Sequence, residues 1–428
     1  MKLECICLVF SPNLLNPGGL SVCHSVCPCT ASLRLCCPLC SCPIVSSLRL
    51  CCPLCSSPIV SYLSCPVLSS RQWFLRFHSF ILTLGFKQSQ VDPCLYKRVT
   101  ASGTTLLAIY VDDLLIASNS DKDSIDLQTS LSAEFSMKTL GFPKMFLGVQ
   151  IAQSTKGLII FQQDLIDRIL LRFKMQHVTV QSTPMNSKQS FSKLMNESAK
   201  FDGPYRQAIG CLQYLVTCTR PDLATSVSIL AQYTNGPTVA HWEAVVRIFG
   251  YLKGTRALGI SYHSGSSTND VTAYADSSWA SDVDNRRSRT GYFFKVANHL
   301  ISWQSKRQVT VALSTCEAEY MALSAAVQES SYLIQLCRSF GISKIGNLVI
   351  FQDNMGTLDL AKNKKIKTRT KHIDVRYHFI REQVSAGGIK LVHCPTQLMQ
   401  ADILTKALPA NLFLKCRDSI GMVYAFKT

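Results

Sequence analysis

The sequence predicts a chain of mixed α/β and α+β class in three parts. Residues 1–69 are rich in cysteine and proline and contain too few polar residues to build a surface, so we expect them to be disordered or irregular. Residues 70–265 begin with an amphipathic helix and a β-hairpin. Residues 270–415 follow the order three strands, helix, strand, helices, strand, helix. This last order indicates a mixed five-stranded sheet covered by helices.

Composition limits the partners and the compartment. The 428 residues carry a formal net charge of +17, which favours a polyanion such as nucleic acid over the alternative of a lysine-rich surface without a partner. No apolar run reaches the roughly 18 residues of a membrane span, and Glu4 and Pro12 make the start a poor signal peptide. The seven cysteines beyond residue 65 are scattered, as in a reducing compartment. We therefore expect an intracellular protein, in cytoplasm or nucleus, without a membrane partner.

Residues 1–69 contain a tandem repeat. The units SLRLCCPLCSCPIVS (32–46) and SLRLCCPLCSSPIVS (47–61) differ only at Cys42 and Ser57. Each unit holds a CxxC pair, which suggests a metal-binding module. The alternative is a DNA duplication, which would create the second pair automatically. We favour the duplication for that reason.

Two adjacent aspartates interrupt an apolar run in LLAIYVDDLLIASN, residues 106–119. The apolar flanks predict two strands, with Asp112 and Asp113 at the tight connection between them. Carboxylates held this close repel each other unless a divalent cation lies between them. A metal site and an ordinary Asp-Asp turn are equally compatible with this pattern alone.

Four further carboxylates are spaced along the C-terminal part. Asp276 and Asp353 each lie at the carboxyl end of a predicted buried strand, where open α/β sheets place their sites. Ser314 and Glu317 match a capping box. Glu319 lies about 200° further around the same helix and is therefore free to face the sheet.

Asp402 lies near the start of the last helix, where an acidic residue can simply compensate the helix dipole. However, four carboxylates that converge from two strands and two helices can hold two Mg²⁺ ions. Such a pair of ions supports hydrolysis of a phosphodiester by water. The sequence therefore makes Asp402 a candidate fourth ligand.

The order of these motifs resembles the Pol polyproteins of copia-type LTR retrotransposons. The segments SSRQWFLRF, LGFKQSQVDPCLY, YVDD, MKTLGFPKMFLGVQI and YRQAIGCLQYLVTCTRPDL are similar to successive landmarks of the reverse transcriptase. The segments YADSSWA, EAEYMAL, FQDN and ADILTK resemble the four acidic motifs of ribonuclease H. The resemblance runs from about residue 70 to about residue 410.

For residues 70–265 the resemblance implies the C-terminal palm, the thumb and the connection of a reverse transcriptase. Asp112 would bind catalytic metal with Asp113 beside it, and Phe146, Leu147 and Gly148 would lie in the turn that grips the primer end. A polymerase of this family also needs an aspartate from an earlier palm strand. Upstream of Arg71 this chain has no aspartate, and the fingers are missing. We therefore do not expect polymerase activity.

For residues 270–415 the resemblance implies a ribonuclease H-like domain. The implied metal ligands are Asp276, Glu319, Asp353 and Asp402, with two Mg²⁺ ions as cofactor and Mn²⁺ as a possible substitute. The expected activity is endonucleolytic hydrolysis of RNA in RNA·DNA hybrids. The alternative is an inactive retrotransposon relic that only binds nucleic acid.

Basic residues near these motifs are candidates for the nucleic-acid contact. Residues 362–381 carry eight Lys or Arg residues against one Asp. The candidate residues for contact with the phosphates of a hybrid are Lys367, Arg369, Lys371, Arg286 and Arg287. The alternative for residues 362–381 is a basic helix that faces only solvent.

Overall fold

The structure is a computed structural model of the 428-residue chain. It describes residues 20–25, 70–111, 113–154, 157–192, 200–263, 270–340, 348–362 and 374–425. The chain divides into two compact units. The first comprises Met1–Leu147, His263–Gly265 and Ile334–Ser343, and the second comprises Gly148–Tyr262, Ser266–Leu333 and Lys344–Thr428. No helix of the described residues is both long enough and apolar enough to cross a membrane.

The first unit is built on an antiparallel sheet. Its described strands are β1 (Leu20–Ser25), β2 (Lys87–Gln88), β3 (Leu95–Val99), β4 (Thr104–Tyr110), β5 (Asp113–Ser118), β6 (Met137–Thr139) and β7 (Met145–Phe146). Its helices are α1 (Ser70–Thr83) and α2 (Asp121–Glu134). The first six strands form one sheet in the order β2-β3-β4-β5-β1-β6.

The predicted hairpin is present. Strands β4 and β5 pair antiparallel, with Tyr110 opposite Asp113. One face of the sheet is covered by α1 and α2, whose apolar residues share a core with the strands. The shared core contains Phe77, Ile81, Leu107, Ile109, Leu114, Ile116, Leu127 and Leu131.

Strand β1 is the described part of the cysteine-rich segment. It lies between β5 and β6 and pairs antiparallel with both, with His24 opposite Asp113. Its sequence, LSVCHS, contains no acidic residue. Both CxxC pairs of the repeat lie outside the described residues.

The second unit begins with strands and a group of helices. The strands are β8 (Val149–Ser154), β9 (Gly157–Phe161) and β10 (Leu258–His263), which share a sheet with the late strand β16 (Met422–Tyr424). The helices between β9 and β10 are α3 (Gln163–Arg172), α4 (Tyr205–Cys218), α5 (Ala224–Leu230) and α6 (Val239–Gly254).

A buried ion pair organises this helical region. The Arg220 guanidinium is fully buried and pairs with Asp222 at 2.8 Å. It also donates to the Thr255 carbonyl at 3.1 Å, and the Tyr251 hydroxyl donates to Asp222 at 2.7 Å. Because Arg220 and Asp222 both have hydrogen-bond partners inside the protein, these contacts offset the free-energy cost of removing the two charges from water. Just beyond it, Thr225 donates to the Ile403 carbonyl at 2.7 Å. The helical region therefore supports the turn that carries Asp402.

The predicted mixed five-stranded sheet is confirmed. Its strands are β11 (Val271–Ser278), β12 (Arg289–Val296), β13 (His299–Arg307), β14 (Leu348–Gln352) and β15 (Lys390–His393), in the order β13-β12-β11-β14-β15. The first three pair antiparallel, whereas β14 pairs parallel with both β11 and β15. The accompanying helices are α7 (Thr315–Ser339), α8 (Met355–Lys362), α9 (Asp374–Ser385) and α10 (Ala410–Ser419).

Candidate metal centre

Two of the predicted carboxylates lie side by side because of strand register. The parallel pairing of β11 with β14 sets Tyr274 opposite Phe351, an offset of 77 residues. Two residues beyond this pair come Asp276, within β11, and Asp353, which directly follows β14. Both carboxylates therefore stand at the same edge of the sheet, where its central strands end.

Helix α7 brings the third carboxylate. Glu317 accepts from the Leu313 amide at 2.8 Å and its own amide donates to the Ser314 hydroxyl at 3.1 Å, so Glu317 is used to start the helix. Glu319 faces the sheet instead. It accepts from the Ser277 amide and from the Gln352 side chain, both at 3.2 Å. The two ends of its carboxylate are thus held by β11 and β14.

These three carboxylates form one cluster. A ligand oxygen from each of Asp276, Glu319 and Asp353 lies within 4.8 Å of the other two. Burial, with the charges of Asp276 and Asp353, raises the pKa of Glu319 well above its usual value. Burial and Asp276 also raise the pKa of Asp353, although a hydrogen bond from Thr396 at 3.0 Å opposes this. The cluster therefore holds more negative charge than its surroundings stabilise.

The fourth carboxylate lies next to the cluster rather than inside it. Asp402 belongs to a 3-10 turn, Gln400–Leu404, and its carboxyl group interacts with that of Asp276. Burial and Asp276 raise the pKa of Asp402 to about 7. Lys406 forms an ion pair with Asp402, with 2.9 Å between Nζ and Oδ1.

Thr405 and Lys406, which follow Asp402 in the sequence, interact with the carboxylates of the site. The Thr405 hydroxyl donates to Asp276 Oδ2. Burial lowers the pKa of the Lys406 ammonium group, but the attraction of Asp276 and Asp402 outweighs this, so its pKa is raised overall. The sequence analysis missed both residues. The available signal was the spacing of four between Asp402 and Lys406, which is typical of an ion pair along a helical turn.

A glycine permits this turn to approach the sheet. Gly291 lies opposite Asp276 in the pairing of β12 with β11. A Cβ atom at position 291 would lie 2.6 Å from Thr405 Cγ2 and 2.8 Å from Leu404 Cβ. Real side chains do not approach so closely, so only glycine leaves room for the turn that carries Asp402 and Thr405.

The donor set fits a hard divalent cation. Asp276 and Glu319 are 2% and 7% exposed, and all of the ligands offered are carboxylate oxygens, which Mg²⁺ and Mn²⁺ prefer. The mutual repulsion of the carboxylates, seen in their raised pKa values, is the quantity that a bound cation would relieve.

The hairpin with the two adjacent aspartates is described only in part. Asp112 lies outside the described residues. Asp113 begins β5, and Val111 before it has φ = +54°. A β-branched residue in the left-handed region is strained, and such strain is concentrated at functional turns. The described residues around Asp113 do not include a third carboxylate that forms a cluster with it.

The predicted primer-grip residues form a tight turn. Leu147 and Gly148 have φ of +49° and +74°, so two consecutive residues are left-handed. Phe146 is 6% exposed and therefore offers little side-chain surface to a ligand. The contact of Phe146, Leu147 and Gly148 with nucleic acid stays a prediction.

The basic candidates are partly described. Arg286 is exposed at the end of a loop in which its amide donates to the Asp282 carbonyl at 2.8 Å, and Arg287 is half-buried. The Asp282 carboxylate accepts from Arg307 at 2.7 Å, which fixes the base of this loop. Lys367, Arg369 and Lys371 lie outside the described residues.

Comparison with known proteins places the chain in a family. Residues 68–187 match the family reverse transcriptase (RNA-dependent DNA polymerase). The retrovirus-related Pol polyprotein from transposon TNT 1-94 of Nicotiana tabacum is 38% identical over 363 residues, which cover 82% of this chain and 27% of that protein. The chain thus spans about a quarter of that relative's length. A putative transposon Ty5-1 protein of Saccharomyces cerevisiae is 30% identical, with 60% of this chain and 84% of that protein covered.

Among solved structures, the ribonuclease H1 of Halobacterium salinarum is similar, with 16% identity and a TM-score of 0.25 over 34% of this chain and 98% of that one. This likeness does not bear on activity. The sequence relatives do bear on ancestry, since their similarity extends over most of the chain. The chain belongs to the family of retrotransposon Pol polyproteins, as its resemblance to the copia type implied.

Proposed function

We propose that this chain hydrolyses the RNA strand of RNA·DNA hybrids in a reaction that depends on Mg²⁺. The observation that carries the proposal is the cluster of buried Asp276, buried Glu319 and half-buried Asp353, whose ligand oxygens lie within 4.8 Å of one another. A buried group of like charges is destabilising in itself, so a cation-binding role accounts for a feature that folding alone does not.

Bound divalent ions would supply the activation of a water molecule and the stabilisation of the leaving oxygen. The chain's own residues fix the ligands. Glu319 is held by the Ser277 amide and by Gln352, and Asp353 is held by Thr396. Because these bonds use neutral donors, they orient the carboxylates without cancelling the charge that attracts the cation.

The proposed substrate follows from the charge of the chain and from the ancestry of its family. A net charge of +17 suits a polyanion. Exposed Arg286, half-buried Arg287 and the basic residues Lys367, Arg369 and Lys371 would contact phosphates. Recognition of a hybrid would depend on backbone shape and 2′-hydroxyl groups and not on base sequence.

Polymerase activity is not part of the proposal. Strand β1 lies beside the hairpin strand β5, and its sequence contains no acidic residue. Asp112 and Asp113 therefore lack, within the first 69 residues of this chain, an aspartate that could complete a two-metal polymerase site.

The test is a cleavage assay with the full chain and an end-labelled RNA·DNA hybrid. We expect fragments with Mg²⁺, none after chelation, and none with Asp353→Asn. The control Asp359→Asn removes the same charge from an exposed position on α8 and should cleave normally. A folded wild-type chain that leaves the hybrid intact with both Mg²⁺ and Mn²⁺ would contradict the proposal.

The second candidate function is binding of nucleic acid without cleavage. The observation that favours it is the hairpin, which keeps its strand pairing although the described residues bring no third carboxylate into a cluster with Asp113. A chain that retards the hybrid on a gel but never cuts it would support this alternative.

A further inference from the structure

The carboxylate site contains its own cation. Among the ion pairs of the described residues, Lys406 is the cation that pairs with one of the four predicted ligands. Its ammonium group lies 2.9 Å from Asp402 Oδ1, while its amide donates to the Asp402 carbonyl at 3.1 Å. The backbone contact places the two side chains one helical turn apart, so the pairing is built into the local geometry.

Asp402 lies between the carboxylate cluster and Lys406, so the ion pair affects the charge of the site. Three ligand oxygens, from Asp276, Glu319 and Asp353, already lie within 4.8 Å of one another, and Asp402 is not in that group. Asp402 instead interacts with Asp276 on one side and with Lys406 on the other. The side chain of Asp402 is 8% exposed and that of Lys406 is 41% exposed, so the lysine reaches the carboxylate from the solvent side.

We infer that Lys406 is a tethered counter-ion that neutralises the carboxylate site before metal binds and competes with the metal for Asp402. This inference rests on the proposed metal site. The flexible four-carbon stem of a lysine lets its ammonium group leave at little cost, while a divalent cation brings twice the charge. Lys406 is a positioning residue in this account, since it acts through Asp402 and not on the substrate.

A competing Lys406 and a purely supportive Lys406 predict opposite changes in metal affinity when the lysine is removed. If Lys406 competes with metal, its removal leaves the site more negative, so the metal-free chain becomes less stable and metal binds more tightly. If Lys406 only orients Asp402 as a ligand, its removal weakens metal binding. If Lys406 contacts only the substrate, metal binding without nucleic acid does not change.

The test measures Mn²⁺ binding by calorimetry and the thermal unfolding midpoint of the full chain at about pH 8, without nucleic acid. We expect Lys406→Met to lower the metal-free midpoint, to enlarge the rise in midpoint on adding Mn²⁺, and to lower the Kd several-fold. Lys406→Arg keeps the charge and should restore wild-type values for all three. Lys415→Met removes a charge from an exposed position on α10 and should change none of them.

The failures of the two proposals are distinguishable. An unchanged or weaker Mn²⁺ affinity in Lys406→Met, beside a wild type that binds Mn²⁺, overturns the counter-ion role and leaves the metal site standing. A wild type that shows neither binding heat nor a midpoint shift overturns the metal site, and the counter-ion role with it. An affinity gain in Lys415→Met as large as that in Lys406→Met also overturns the counter-ion role, because the effect would then come from net charge alone.

Discussion

The chain contains two groups of carboxylates that differ in how they are assembled. In the first unit, Asp112 and Asp113 are adjacent in sequence, and the described surroundings of Asp113 bring no further carboxylate to form a cluster. In the second unit, Asp276, Glu319 and Asp353 come from two strands and a helix, and they converge within 4.8 Å. Among the described residues, the dispersed set forms a cluster, whereas Asp113 belongs to no group of three such ligands.

A sequence motif does not by itself form a functional site. The hairpin keeps its strands and its buried core, because its two apolar runs are enough to fold it. A metal site needs several elements in register at once. Strand register, the capping of α7 by Glu317 and the space above Gly291 all have to agree before the second cluster can form.

The largest effect should come from Asp276→Asn. We expect hybrid cleavage to fall more than about 100-fold, because the proposed metal site would lose a ligand. We also expect the metal-free thermal midpoint to rise by a few degrees, since one of the repelling buried charges is removed while Thr405 can still donate to the amide oxygen. Thermal unfolding and cleavage rates on one preparation check both. Lower stability together with lost cleavage would mean that Asp276 has a structural role instead.

Gly291→Ala should break the assembled site without touching a carboxylate. Its Cβ would overlap Thr405 and Leu404, so the turn must shift. We expect a stability loss of about 1–3 kcal/mol and a clear loss of cleavage. Urea unfolding and the cleavage assay measure these. The control Gly388→Ala has no atom closer than 3.6 Å to the new Cβ and should behave as wild type. Equal effects at both positions would refute the packing explanation.

The carboxylates of the second unit should make the stability of the metal-free chain depend on pH. The pKa values of Glu319, Asp353 and Asp402 are raised in the folded chain, that of Asp402 to about 7, so the folded state takes up protons more readily than the unfolded state. Their contribution to stability is therefore present at low pH and is lost as pH rises through about 7. We expect the metal-free unfolding midpoint to fall between about pH 5 and pH 8, and Mn²⁺ to reduce that fall. A midpoint that rises over this range would contradict the raised pKa values.

The smallest effect should come from the exposed loop. Arg286→Gln should weaken hybrid binding a few-fold and reduce the slope of log affinity against log salt by about 1, as expected for one lost phosphate contact. Filter binding at several salt concentrations measures this. Arg168→Gln changes an exposed arginine on α3, and an equal change in slope there would mean that only net charge matters.

Periodicity and spacing predicted much of the fold. The apolar runs on both sides of the two adjacent aspartates predicted the hairpin, and the order of elements after residue 270 predicted the mixed sheet. The capping box separated Glu317 from Glu319, and the structure has Glu319 between β11 and β14. The periodicities of strands and helices arise from residues close in sequence, so they can be recognised from a single sequence.

The remaining features depend on contacts between distant segments. The separation of Asp402 from the other three carboxylates depends on how the Gln400–Leu404 turn packs against β12. The roles of Gly291 and Thr405 appear only once those segments meet, 129 residues apart for the Thr405–Asp276 hydrogen bond. The unexpected strand β1 likewise depends on pairing with β5 and not on its own sequence pattern.

The most direct test of the difference between the two regions uses one substrate for both activities. The full chain is given an RNA template annealed to a DNA primer, with deoxynucleotides and Mg²⁺, and both strands are labelled. We predict cleavage of the RNA strand that is lost in Asp353→Asn, and no extension of the DNA primer. Extension of the primer, or RNA cleavage that survives Asp353→Asn, would contradict the claim that the assembled carboxylate cluster, and not the YVDD hairpin, carries the activity of this chain.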